Sequence, residues 1–525
     1  MNHNTLPYND TIAAIATPPG RAAIAMVRLS GPQALHIASR IWKGKDLTTR
    51  STHTAHLGYI MPPGASPQDQ PIDQALATIF RAPNSFTGED MVEFGLHGSP
   101  LIARQTLHAL MQAGARPAAP GEFSQRAVAN GRMTLLQAEA AADLTAAASR
   151  AAQRIAMTQM RSGMENTIAK IQADLLRLAS LIELELDFSE EDIQFADRAE
   201  LLTIALDART HLRRALDSFT TGQAIKDGIP VAIAGPTNAG KSSLLNALLG
   251  DDRAIVSDIH GTTRDIIEDT LEIGDYLFRF MDTAGLRDSD DPIERIGITR
   301  SRQAITRAAI TLLVTDGTAP LPAALIAQTR QAMPPQSTLI IARNKSDAPG
   351  YLPPAPHTTT TTTPPDSPDS PDSPTPQKSY NSYQSYPTIP LSAKTGEGLN
   401  DLKDLLKQTA AQAEAGAGDI LLTNARHRDC ITQSLQALDT AISYLTPAPT
   451  VPTPTETQTE ATPKTTTETT QTPPTITPTI TPDITPDIIA QSLRAVTAPL
   501  AELTGEALTT PALLQNIFRH FCVGK

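Results

Sequence analysis

Residues 229–250 read IPVAIAGPTNAGKSSLLNALLG: an apolar run, a loop with a glycine near each end, and a leucine-rich stretch closed by Gly250. The first run is short and continuously apolar, as a strand buried on both faces is, and the last has helical spacing with a glycine stop. Between them, Gly235 to Ser242 fits G-x-x-x-x-G-K-[ST]. A strand passing through such a loop into a helix turns backbone N–H groups inward, and the helix start adds partial positive charge. The loop is therefore a cradle for phosphate oxygens. Further apolar strands at 276–281 (YLFRFM), 310–316 (ITLLVTD) and 337–347 (STLIIARNKSD) also run into loops. Strands alternating with helices imply a mainly parallel sheet covered by helices, an α/β domain.

Each of those loops carries chemistry. In the first, Lys241 is placed to reach the β- and γ-phosphates and the Ser242 hydroxyl to ligate Mg2+, while Asn238, Ala239, Gly240 and Ser243 line the rest of the turn. Asp282-Thr283-Ala284-Gly285 follows YLFRFM; its carboxylate is expected to hold Mg2+ through water and the Gly285 N–H to sense the γ-phosphate. Between the loop helix and that strand lies Ser257-Asp258-Ile259-His260-Gly261-Thr262-Thr263, where a switch loop belongs, with Thr263 as the second hydroxyl for Mg2+. Asn344-Lys345-Ser346-Asp347 ends a strand, and the Asp347 carboxylate can accept two hydrogen bonds from the N1–H and N2–H₂ edge of guanine. Adenine lacks that donor pair. Ser392-Ala393-Lys394 completes the base pocket. These motifs in this order identify a guanine-nucleotide-binding P-loop GTPase domain, with Lys241 and Asp282 in its catalytic machinery. One departure is Leu286, which follows Gly285 where many GTPases place a water-orienting glutamine. Leucine can neither donate nor accept, so another polar group must serve. Glu294, in DDPIERIGI, is near in sequence, although spacing alone favours a solvated glutamate at a helix start.

The remaining sequence bounds the other parts. A chain of 525 residues exceeds one hydrophobic core, which implies roughly two to four domains. Residues 1–130 mix short apolar runs with Pro-Gly turns, as in a small α+β domain. Residues 131–221 and 412–525 are Ala- and Leu-rich with helical periodicity, so a discontinuous helical bundle is expected with the GTPase domain, 222–411, inserted in it. Two tracts, 348–387 and 446–487, are built from Thr, Pro, Ser and charged residues; neither composition can bury a core, and both read as insertions. The formal charge of −12 argues against a chain that binds nucleic acid by bulk electrostatics alone. The two cysteines, Cys430 and Cys522, form no metal or disulfide spacing. No basic region precedes an apolar core at the N-terminus, and no apolar run is long enough for a membrane span. The simplest expectation is a cytoplasmic protein with no membrane partner.

The whole arrangement resembles the tRNA modification GTPase family, MnmE or TrmE. The residues that carry the resemblance are 16–31 (ATPPGRAAIAMVRLSG), 84–98 (NSFTGEDMVEFGLHG), 120–132 (PGEFSQRAVANGR), 135–144 (LLQAEAAADL), the GTPase motifs, and the terminal FCVGK at 521–525. Met133-Thr134-Leu135 stands where relatives commonly have Leu-Asp-Leu. The family implies an N-terminal domain that dimerises and binds a tetrahydrofolate, 5-formyl- or 5,10-methylene-, as one-carbon donor. Arg28, Glu93, Arg132 and Lys525 are the matching folate contacts. It implies a Ras-like GTPase domain whose hydrolysis depends on K+ and on dimerisation. Asn238, Ser257, Ile259 and Thr262 match the positions that hold K+, and Glu294 the water-orienting glutamate. It also implies a homodimer working with an FAD-dependent partner of MnmG type, as a heterotetramer, on tRNA, adding a (carboxymethyl)aminomethyl group at C5 of the wobble uridine. Cys522 reads as a core cysteine, and its place in the terminal motif makes a role beside the folate an open alternative. The rival reading is a regulatory or ribosome-assembly GTPase switch, which would call for a basic RNA-binding module after the GTPase domain.

Overall fold

The computed structural model describes residues 9–66, 68–161, 163–187, 198–250, 269–281, 302–353, 386–418, 421–446, 486–506, 517–519, 521 and 524. The chain divides into two compact units, one of residues 1–163, 217–424 and 510–525 and one of residues 164–216 and 425–509.

Seven strands form the first sheet of the larger unit: β1 (Ile12–Ile15), β2 (Ile24–Ser30), β3 (Trp42–Lys43), β4 (Thr54–Ile60), β5 (Asp73–Phe80), β6 (Met91–His97) and β7 (Arg116–Pro117). Their order is β3-β4-β5-β6-β2-β1-β7, antiparallel except where β7 joins β1. Alternation sets the faces: in β5, Ala75, Ala77 and Ile79 turn inward while Gln74 and Leu76 turn out. The inner face packs Val27, Leu29, Ile60, Val92 and Phe94 against helices Ala34–Arg40 and Pro100–Gln112. The outer face presents Leu57, its cross-strand neighbour Leu76, and Tyr59, all exposed.

A buried ion network ties the edge of this sheet together. Arg126, on helix Glu122–Ala129, is 0% exposed. Its guanidinium donates to Asp10 Oδ1 (2.7 Å), Glu122 Oε1 (3.0 Å), Glu89 Oε1 (3.1 Å) and the Asp10 carbonyl (2.9 Å). Glu122 also accepts from Arg116 and from the Ala119 N–H, and Glu89 from the Ser30 hydroxyl. Burial pushes Glu122 up, but its donors outweigh that and leave its pKa below the usual glutamate range. Burial wins at Glu89, whose pKa is raised despite Ser30 and Arg126. The network fixes helix Glu122–Ala129 to the loop at 84–90, and these two segments carry Phe123 and Phe86.

The second sheet contains β8 (Ile229–Ala234), β9 (Asp269–Ile273), β10 (Tyr276–Met281), β11 (Ile310–Asp316), β12 (Thr338–Asn344) and β13 (Thr388–Pro390) in the order β13-β12-β11-β8-β10-β9. It is parallel except for the β9–β10 hairpin. Both faces are covered. Val231, Phe278, Leu312 and Ile340 pack against helices Lys241–Leu249 and Leu399–Gly416, and Ala234, Leu313 and Ile341 pack on the side of helix Ala323–Ala332. The tip of the β9–β10 hairpin is anchored to two helices. The Ala151 N–H donates to the Asp275 carbonyl (2.9 Å), and Tyr276 and Arg154 both donate to the Glu414 carboxylate (2.6 and 2.8 Å).

The helical region from Leu135 is broken into Leu135–Ala146, Arg150–Met160 and Gly163–Asp187. Thr134 caps the first of these in a reciprocal capping box with Gln137. Ser149 caps the second by accepting from the Ala152 N–H. Ala151 and Ile155 lie in the core with Ile225 and Phe278, so these two helices belong to the larger unit. In the smaller unit, helices Ala425–Leu445 and Pro486–Thr504 pack together, with Ile431, Leu435, Leu493 and Val496 buried, and Arg426 donates to the Glu502 and Leu503 carbonyls at the end of the second. Among the described residues, no helix is long and apolar enough to cross a membrane.

Arg126→Ala leaves the half-buried Glu89 carboxylate without its cationic partner and takes one of two arginines from the buried Glu122. Removing one partner of such a network typically costs about 3–5 kcal/mol. Denaturant unfolding of the variant should show a loss of that order, and a loss below about 1 kcal/mol would mean the network does not hold this edge together.

Candidate nucleotide site and N-terminal cation site

The phosphate loop lies at the carboxyl end of β8, where ligands bind in parallel α/β sheets. Two of its glycines are dictated by space and backbone. A Cβ on Gly235 (φ 141°) would meet the Val314 carbonyl at 2.1 Å, and one on Gly240 (φ 92°) would meet the Asn344 amide nitrogen at 2.1 Å. Asn238 also holds a left-handed backbone, φ 61°, which asparagine tolerates better than most residues. Ala239 is buried, and Ser242 and Ser243 enter the first turn of helix Lys241–Leu249. The Lys241 ammonium donates to the Gly235 (2.9 Å) and Pro236 (2.7 Å) carbonyls, and burial lowers its pKa. The cation is thus already bent over the cradle.

The base side is joined directly to this loop. Asn344, 3% exposed, donates through Nδ2 to the Ala239 carbonyl (2.9 Å), and its Oδ1 accepts from the Ala393 N–H (2.9 Å). Asp347 is exposed, and its Oδ1 accepts from the buried Ser392 hydroxyl (2.6 Å), which holds the carboxyl below its usual pKa. Lys394 follows in the exposed turn. Lys345 has φ 67° and pairs with Asp316 (2.6 Å). Residues 348–353, grouped by composition with the inserted tract, fold with this loop: Leu352 N–H donates to the Gly317 carbonyl, and Arg343 donates to the Gly317, Ala319 and Leu352 carbonyls. Asp316 and Arg343 were not singled out from sequence. Their positions at strand ends gave the only signal, since their partners are remote in the chain.

Several sequence-assigned positions lie outside the described residues: Ser257, Asp258, Ile259, His260, Gly261, Thr262, Thr263, Asp282, Thr283, Ala284, Gly285, Glu294, Cys522 and Lys525. Among the described residues, Asn344 joins the phosphate loop to the turn whose Ser392 holds the Asp347 carboxylate.

In the N-terminal sheet, Arg28 of β2 lies opposite Glu93 of β6. Arg28 Nε donates to Glu93 Oε1 (2.8 Å) and Nη1 to the Gly524 carbonyl (3.0 Å). Its guanidinium is within 5.4 Å of the Phe86 ring centroid and 5.6 Å of the Phe123 centroid. Both charged side chains remain 17% exposed, so the pair is fixed yet accessible. The C-terminal Gly524 reaches this place because it has no side chain: at φ 93° a Cβ would meet Ala16 Cα and the Ile15 carbonyl at 2.8 Å. Arg132 is exposed and its stem packs over Gly88.

The family model of the GTP-binding protein TrmE N-terminus matches residues 11–132, and that of the MnmE helical domain matches residues 135–461. The tRNA modification GTPase MnmE of Parabacteroides distasonis is 40% identical over 523 residues, covering 98% of this chain and 100% of the relative. That of Porphyromonas gingivalis is 39% identical over 98% of each chain. That of Flavobacterium johnsoniae is 50% identical over 59% of this chain and 66% of its own. On this similarity, which runs through both sheets and the helical segments, the chain belongs to the MnmE family of tRNA modification GTPases.

Proposed function

We propose that this chain hydrolyses GTP to drive modification of the wobble uridine of certain tRNAs. With an FAD-dependent partner of MnmG type, it adds a (carboxymethyl)aminomethyl group at C5. The observation that carries the nucleotide part is the Asn344 carboxamide, which joins the phosphate loop at Ala239 to the base-side loop at Ala393. The tRNA part rests on the full-length relatives.

In this reading Lys241 and the loop N–H groups bind the β- and γ-phosphates, where the two glycine positions leave no room for side chains. Ser242 and Thr263, with Asp282 through water, hold Mg2+, which when bound neutralises charge on the β- and γ-phosphoryl oxygens. Asn238, Ser257, Ile259 and Thr262 hold K+, which supplies positive charge where other systems use an arginine finger. Glu294 orients the attacking water, a task closed to Leu286. Asp347 selects guanine by accepting from both N1–H and N2–H₂, and Ser392 keeps its carboxylate oriented.

The N-terminal site takes a reduced folate. Glu93 suits the donor edge of a pterin, and Arg28, Arg132 and Lys525 suit the carboxylates of a glutamate tail. Arg28 is supported for this by its fixed place between two rings, with its charge still reachable. The folate supplies the one-carbon unit. The outer face with Leu57, Leu76 and Tyr59 is the surface a second copy would cover in a homodimer.

Glu294→Ala is expected to bind GTP normally and lose about 10²–10⁴-fold in turnover; near-normal turnover removes Glu294 from the reaction. Hydrolysis by the wild type should be faster in KCl than in NaCl, and equal rates would dismiss the K+ assignment. Asp347→Asn exchanges a two-acceptor edge for one acceptor and one donor, matching the C2 carbonyl of xanthine. The variant should prefer XTP to GTP, and retained GTP preference in competition binding would show that another group reads the base. Arg28→Ala should weaken 5-formyltetrahydrofolate binding by at least about tenfold, the scale of a charged hydrogen bond, in calorimetry; unaltered affinity would displace the folate from this site.

A further inference from the structure

We propose that Asp316, which no nucleotide motif contains, is a positioning residue for guanine-nucleotide binding: it holds the Lys345 side chain as a preformed shelf for the face of the base. The proposal rests on the guanine reading of the pocket.

Parallel pairing of β11 and β12 places Asp316 opposite Asn344, the residue before Lys345. Lys345 leaves β12 in the left-handed region, φ 67°, and its ammonium crosses to Asp316 Oδ2 at 2.6 Å. Its four-carbon stem therefore bridges the carboxyl ends of two neighbouring strands, and Asp347 follows two residues on in the same loop. A planar base held by its edge at Asp347 presents a face, and an apolar stem carrying a fixed positive charge is a surface suited to that face.

Asp316 is itself immobilised. Its Oδ1 accepts from the Thr318 N–H (2.9 Å) and the Thr318 hydroxyl (2.7 Å), which leaves Oδ2 for lysine. The next residue, Gly317, donates its N–H to the Asn344 carbonyl (2.8 Å), and its own carbonyl accepts from Arg343 Nη2 (2.9 Å). Tyr351 lies so close over Gly317 that a Cβ there would meet its ring at 2.3 Å. A carboxylate on so restrained a turn can orient a long side chain.

The alternative is an ordinary surface ion pair. Lys345 and Asp316 are 40% and 33% exposed, and such pairs add little to folding. Their value here is conformational. A loose lysine must surrender rotamer freedom when the base arrives; one already tied does not.

The test uses the full-length protein with GDP and GTP. Asp316→Asn should raise the Kd for GDP and the KM for GTP about 3- to 10-fold, the scale of ordering one long side chain. The kcat at saturating GTP should stay at the wild-type value. The preference for GTP over ITP should persist, because Asp347 still reads the edge. On a Lys345→Met background Asp316→Asn should add no further loss. Asp316→Glu, which keeps the charge, should recover most of the affinity. Thr318→Ala, which loosens the carboxylate without removing it, should give a smaller loss in the same direction and takes over the test if Asp316→Asn does not fold. Unchanged Kd and KM, a lowered kcat, or additive losses in the double variant would overturn the proposal. If the wild type binds ATP as well as GTP, it is the guanine reading that falls. If the wild type is selective and Asp316→Asn matches it, the positioning proposal falls alone.

Discussion

One buried carboxamide holds the two halves of the nucleotide site at a fixed separation. Asn344 gives its amide proton to the phosphate loop and takes one from the turn after β13. At 3% exposure neither bond can be exchanged for water without cost. The bridge works only because Gly240 allows the loop to approach the amide nitrogen more closely than any side chain would permit. It works also because β8, β11, β12 and β13 run parallel and deliver their loops to one edge. The spacing between the phosphate loop and the Asp347 carboxylate is thus set by this one residue.

Much of this was legible in the sequence, for a physical reason. Strands buried on both faces read as unbroken apolar runs, so ITLLVTD and the run ending in Asn344 stand out, and each functional loop follows directly from one. The two large folded parts with sheets, and the helices between and after them, follow from period and composition. Interactions between remote residues were not legible. Nothing in the run VTDGT announces that Asp316 meets a lysine on the neighbouring strand, since the pairing is set by register. Nothing marks Arg126 as the centre of a buried network, because arginine in a polar helix ordinarily faces water. The break before Ser149 was written only in a capping serine within an otherwise continuous helical pattern.

The N-terminal sheet uses arginine in two contrasting ways. Arg126 is wholly enclosed and satisfies carboxylates from three segments, so its charge is spent within the fold. Arg28 has one carboxylate partner and two aromatic neighbours, and stays partly open to solvent. The first arrangement locates the second, since Glu89 and Glu122 lie in the segments that bring Phe86 and Phe123 to Arg28. A rigid ionic frame thus supports a cation that is still available to a ligand.

Arg343 closes the base-side loop upstream of the long polar tract by gathering the Gly317, Ala319 and Leu352 carbonyls, and β12 takes the chain back through the Ile341 bond to Pro387. Both ends of the excursion are therefore tethered independently of what lies between them. A change of length between 353 and 386 therefore leaves the Arg343 and Ile341 bonds, and with them the base-side loop, in place.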